Sequence, residues 1–210
     1  MMFKYNFKGL NMKSLILFLF ILLMGCSKEN LSDSSLQLPP ETQVGANTFG
    51  CNINGKLLVP RGNGTYNGDY PALILAGYPN LAYSELDIRD YKSERTGSIL
   101  IHIQSLNQNG IGNYIIDESN GQSNIDGLDH TYLHCRIFND ATNSYQYYRS
   151  YANSGVLKIT RYDFVPSVKL IISGTFSGRV RNSANPADEI EITQGRFDFN
   201  GATLATTNFP

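Results

Sequence analysis

The chain has 210 residues with 17 Lys plus Arg against 18 Asp plus Glu. Beyond residue 25 it carries 14 basic and 18 acidic side chains, which suits one domain with a real core and argues against phosphate-backbone binding, where clustered Lys and Arg are needed. Asn is abundant, at 21 residues, and Trp is absent. Asn tolerates left-handed turn geometry, so this composition points to many turns and short strands.

Lys13 precedes ten unbroken apolar residues, Leu15 to Met24. That is too short to cross a hydrocarbon core, which takes roughly 20 helical residues. A basic start, a short apolar run and a small residue before a processing point read as a secretory signal over 1–25. Met1, Met2 and Met12 are all candidate starts, and Met12-Lys13 opens the more typical signal. The run ends Leu23-Met24-Gly25-Cys26, which resembles the lipobox of bacterial lipoproteins, with Met24 an unusual occupant. The resemblance implies cleavage before Cys26 and lipidation of its thiol and new amine. Two or more acyl chains hold a protein firmly on a bilayer, so the membrane becomes the first expected partner. Ser27-Lys28-Glu29 lacks the Asp-led inner-membrane retention pattern. It favours the outer membrane, on its cell-surface or periplasmic face.

Residues 26–46 read as the lipidated cysteine and a tether. They are polar with isolated apolar residues and a Pro39-Pro40 pair, a linker composition. From Asn47 the period changes to two, and 47–210 reads as a single antiparallel β domain. Phe49, Cys51 and Ile53 alternate with Gly50 and Asn52. Asn54-Gly55 is a strong hairpin signal, because a type I′ turn needs positive φ at both positions. Leu57 and Val59 return along the second strand, stopped by Pro60. Further strands are expected at Ala72–Ala76, Tyr83–Arg89, Ser98–Ser105, Tyr114–Ile116, Thr131–Phe138, Tyr145–Tyr151, Val156–Phe164, Lys169–Arg181 and Glu189–Phe199. About ten strands at this spacing predict an all-β sandwich. An up-and-down, lipocalin-like barrel is the alternative, which periodicity cannot separate. No apolar spacing of 3.6 runs through three turns, so no long helix is expected.

The stretch Leu38-Pro39-Pro40-Glu41-Thr42-Gln43-Val44-Gly45-Ala46-Asn47-Thr48-Phe49-Gly50-Cys51, followed by Asn54-Gly55, resembles the opening of a family of Bacteroidetes-type lipoproteins whose activity is not established. Gly174-Thr175-Phe176 and Gly195-Arg196-Phe197-Asp198 resemble that family's ending. The resemblance implies an extracytoplasmic lipoprotein and carries over no functional residue.

Apart from Cys26, the cysteines are Cys51 and Cys135, both on the apolar parity of their strands. An even pair in an oxidising compartment is expected to form a disulfide. His130 and His134, if on a strand, stand about 13 Å apart, too far to share an ion. Asp117, Glu118, Asp126 and Asp129 depart from the EF-hand spacing and read as a solvated loop. Glu85 and Asp87 share a face with Arg89, an ordinary exposed strand face. No catalytic residue, metal site or cofactor is therefore expected. Tyr145, Tyr147, Tyr148 and Tyr151 form the one candidate binding patch, since exposed rings stack on sugars or pack against a partner. The expected function is a non-enzymatic binding or structural β domain. A ligand-holding barrel for a small hydrophobic molecule or glycan is the alternative, and a hydrolase with a loop-built site a more remote one. The second expected partner is thus a protein, a glycan or a small ligand.

Overall fold

The computed structural model describes residues 36–62, 71–77, 82–93, 95, 97–165 and 168–209. The signal and lipidation expectations at residues 1–26 lie outside them. The compact unit begins at Gln37.

Among the described residues eleven strands form: β1 (Thr48–Ile53), β2 (Lys56–Leu58), β3 (Leu73–Ala76), β4 (Tyr83–Arg89), β5 (Ser98–Gln104), β6 (Gly112–Ile116), β7 (Tyr132–Asn139), β8 (Ser144–Arg149), β9 (Gly155–Val165), β10 (Lys169–Asn182) and β11 (Glu189–Asn200), with one short α-helix, α1 (Leu106–Asn109). All pairings between these strands are antiparallel. Asn54 and Gly55 turn β1 into β2 at φ 50° and 75°, the geometry that a type I′ hairpin demands.

The hydrogen-bonded order is β2-β1-β11-β10-β8-β7-β5-β4-β3, with β9 and β6 branching from β10. The fork lies within one long strand. Lys169 to Gly178 pair with β9, whereas Arg181 and Asn182 pair with Arg149 and Tyr148 of β8. Two layers result, β2-β1-β11-β10-β9-β6 and β8-β7-β5-β4-β3. Their inward side chains form one apolar cluster, from Phe49, Ile172, Phe176, Phe197 and Phe199 on one layer to Leu86, Ile88, Ile101 and Leu133 on the other. The path is open, ending at β2 and β3. The fold is thus an all-β sandwich and not the closed barrel held as the alternative.

Cys51 and Cys135 both point into this core, as their parity implies, but they are free thiols. The expected disulfide is not formed: alternation fixes the face of each cysteine, not the distance between two strands. Burial pushes Cys135 up to about 12 and raises Cys51 as well, with the Cys135 charge adding to it. Both sulfurs behave as small hydrophobes.

Residues 37–46, read from composition as tether, lie on the outer face of the six-stranded layer as a strap. One carboxylate holds them. Asp198 is 1% exposed and accepts from the Thr42 hydroxyl (2.7 Å), the Val44, Gly45 and Ala46 amides (2.9, 2.8 and 3.1 Å) and the Ser173 hydroxyl (2.7 Å). Burial pushes its pKa upward, yet the donors from Thr42, Ser173, Ala46 and Gly45 outweigh this and hold it below the usual carboxylate range. Gly45 supplies φ 78° for the turn of the strap. Gly50 lets the strap lie close, since a Cβ there would stand 2.5 Å from Pro39 Cδ. Arg196 donates to the Pro39 carbonyl at 3.4 Å, and Arg161 donates to that of Gln43. Asn47 then ties the strap to the C-terminal segment: its amide nitrogen donates to Thr203 and Thr207, and its oxygen accepts from Asn200 N.

Candidate recognition face

Alternation places residues 83, 85, 87 and 89 of β4 on the outer face of the five-stranded layer, with 98, 100, 102 and 104 of β5, 132, 134, 136 and 138 of β7, and 145, 147 and 149 of β8. Strand register aligns them into rows. One row is Glu85, His102, Tyr132. The next is Asp87, Leu100, His134, Arg149, continued by Arg181 of β10. A third holds Arg89, Ser98, Arg136 and Tyr147, and Phe138 faces Tyr145 at the end.

The first row is not the exposed face that the alternation of β4 suggests. Glu85, His102 and Tyr132 are 3%, 1% and 0% exposed. The loop 117–131 covers them. Its Asn124 amide donates to Glu85 Oε1 (2.8 Å), which also accepts from His102 Nδ1 (2.9 Å). Tyr132 donates to the Gln122 carbonyl (2.9 Å). Four rings stack across the strands: Tyr83 on His102 at 4.8 Å, His102 on Tyr132 at 4.5 Å, and Tyr132 on His134 at 6.2 Å. Burial raises the Tyr132 phenol, with the Glu85 and Tyr83 charges adding to it. The loop is pinned further by Ser119 Oγ at 3.2 Å from His134 Nδ1 and by His130 Nε2 on the Glu118 carbonyl at 2.7 Å. All three histidines of the chain therefore serve one loop-to-sheet contact. Burial and the nearby Arg149 lower the His134 pKa. Among the described residues, no three His, Cys, Asp or Glu side chains gather as a metal site.

Beyond the loop the face opens. Tyr147 is 58% exposed and Tyr145 37%. The other two tyrosines of the candidate patch do not join them. Tyr148 has the opposite parity, lies in the core at 2% exposure, and donates to Asp188 Oδ2 at 2.8 Å. Tyr151 sits under the Arg181 guanidinium, 3.8 Å from its ring centroid. The patch is therefore two tyrosines plus neighbouring arginines, which the residue pattern alone does not single out. Arg136 lies 4.5 Å over the Tyr145 ring, and Arg95 lies 4.4 Å over Phe138, itself edge-on to Tyr145 at 5.3 Å. Arg149 is exposed and shares the parity of Tyr145 and Tyr147, a signal the sequence did contain. Flat rings flanked by guanidinium groups can stack on a planar or sugar ring and bind acidic groups through forked donors.

A concavity of about 150 Å³ lies under the strap, lined by Thr42, Gln43, Thr160, Thr175, Arg196 and Phe197 among others. That is below the roughly 300 Å³ at which pockets for small organic ligands begin. No known protein family, curated protein or solved structure matches the chain.

Proposed function

We propose that the chain is a lipid-anchored, extracytoplasmic β-sandwich of the outer membrane. It binds a partner on the open face of its five-stranded layer and does not catalyse a reaction on it. The observation that carries the binding reading is Tyr147, 58% exposed on β8, the border strand of the five-stranded layer, opposite Arg136 and two residues from Arg149. A large aromatic held on a strand with its face in water is the residue type that dominates recognition energetics. The groups that could do chemistry are committed elsewhere. Glu85 and His102 bind each other beneath a loop, and both core thiols are held protonated by burial. The anchor rests on the signal over 1–25 and on Leu23-Met24-Gly25-Cys26.

The test is a screen of the full chain, purified in neutral detergent, against glycans, metabolites and surface proteins. The reading expects a ligand whose affinity falls about tenfold in Tyr147→Ala with unchanged melting. Ligands indifferent to Tyr147 overturn it. Mass spectrometry of the mature N-terminus tests the anchor separately: acylated Cys26 supports it, and an unmodified Cys26 removes it.

A further inference from the structure

We propose that Arg149 and Tyr147 form the binding site for an acidic glycan, a uronate- or sulfate-bearing sugar whose ring stacks on Tyr147 and whose anionic group is held by Arg149. This rests on the reading of the open face as a recognition surface and names its ligand class.

Three relationships point to an anion. Arg149 pairs across the strands with Arg181. Like charges directly opposite one another destabilise a sheet pair, so this placement has a cost in the free protein. Arg181 has its own compensation, donating to Glu189 Oε2 at 3.0 Å and lying over Tyr151. Arg149 makes no ion pair or hydrogen bond among the described residues, although it is exposed. Its charge is also positioned. Gly121 of the covering loop lies against the guanidinium, where a Cβ would stand 2.6 Å from Nε. The loop thus buttresses the arginine with bare backbone at φ 79°.

The neighbour of this charge is a ring. Tyr147 is two residues from Arg149 on the same face, about 6.6 Å along the strand. Arg136 pairs with Tyr147 across the strands, and its guanidinium lies 4.5 Å over the neighbouring Tyr145 ring. The surrounding carboxylates are engaged: Asp87 with Arg89 at 2.6 Å, and Asp140 with Lys56 at 2.7 Å and with Arg95. The patch is made of side chains on an outward sheet face, whereas extended peptides are captured through a strand's backbone or in a groove. A sugar needs only a ring face and a forked donor.

The test titrates the full chain in neutral detergent with four probes: oligogalacturonate, a heparin fragment, dextran and poly-glutamate. Oligogalacturonate or the heparin fragment is expected to bind, more weakly as salt rises. Arg149→Gln and Tyr147→Ala should each reduce that affinity about tenfold without a change in melting. Failure of both acidic glycans to bind overturns the inference. Poly-glutamate binding as tightly as the glycans overturns the sugar component, because charge alone would then suffice. Dextran binding that falls in Tyr147→Ala but not in Arg149→Gln overturns the acidic class while leaving the recognition face intact. Glycan binding unaffected by either substitution overturns the inference and the recognition reading together.

Discussion

The Thr42 hydroxyl donates to Asp198 Oδ2 across 2.7 Å and 156 residues of chain. Three successive backbone amides converge on the same carboxylate. The opening stretch around Leu38–Gly50 and the closing Gly195–Asp198 are therefore two halves of one lock. Leu38 and Pro39 lie over Gly50, and Arg196 holds the Pro39 carbonyl. The residues of these two stretches hold the strap to the sandwich. Hydrogen bonds to a charged acceptor contribute about 1.5–3 kcal/mol each, and orphaned buried amides are costly. Asp198→Ala should destabilise the domain by roughly 3–5 kcal/mol, in the range of other buried-charge deletions. Urea denaturation measures this, and proteolysis should cut the freed strap between Pro40 and Ala46 before the sandwich opens.

Acid should release the same strap. The Asp198 pKa is lowered in the folded state, so its contribution is present above the unfolded value of about 3.9 and lost as pH falls through the folded value. The Val44, Gly45 and Ala46 amides should lose protection, relative to their intrinsic exchange rates, below about pH 4 while the β10 and β11 amides remain protected. Strap and core exchanging together over that range would contradict the lock.

Gly50 offers a test by volume alone. Its Cβ would meet Pro39 at 2.5 Å and Leu38 at 3.1 Å, so Gly50→Val must displace the strap or the strand. Overpacking of this kind costs about 1–3 kcal/mol. The expected outcome is a strap sensitive to protease over a sandwich with unchanged far-UV circular dichroism.

Much of this architecture was legible in the sequence. Asn54-Gly55 placed a hairpin, and the period of two placed every strand, because both are local. Inward and outward parity was legible for the same reason: Ile99, Ile101 and Ile103 are buried as their alternation implies. What could not be read is what covers an outward face. Glu85 looks like a solvated strand residue until loop 117–131 folds over it, and that loop reads as polar and free. The strap was misread for the same cause, since a Pro-Pro stretch is linker-like unless a carboxylate far along the chain collects its amides. The tyrosine patch divided on parity, with Tyr148 inward and Tyr147 outward, and the arginines beside it gained meaning only from strand register.

The covering loop should loosen in mild acid. His134 has a lowered pKa through burial and through Arg149, so the unfolded or opened state takes up the proton more readily. Stability from this site is present above the unfolded value of about 6.5 and declines as pH falls below it. The protection of the Ser119 and Gly121 amides, with the intrinsic pH dependence of exchange divided out, is expected to fall between pH 7.5 and 5.5 in wild type and to stay constant in His134→Gln. Equal loss of protection in both proteins would assign the effect elsewhere.

The two core cysteines allow a decisive count. Cys51 and Cys135 are 0% and 3% exposed and free, with burial holding each as the thiol. Thiolate is the reactive form, so neither core thiol of the native protein should react with a thiol reagent at neutral pH. Unfolded in guanidinium without reductant, the protein should expose both as reactive thiols. Finding none would show that the pair bridges after all, and reduction should then lower the melting temperature, because closing a loop of this length stabilises by roughly 4 kcal/mol in the chain-entropy description. With free thiols, reduction should leave melting where it was. Cys51→Ala and Cys135→Ala should each cost only about 1–2 kcal/mol, the range of small core truncations.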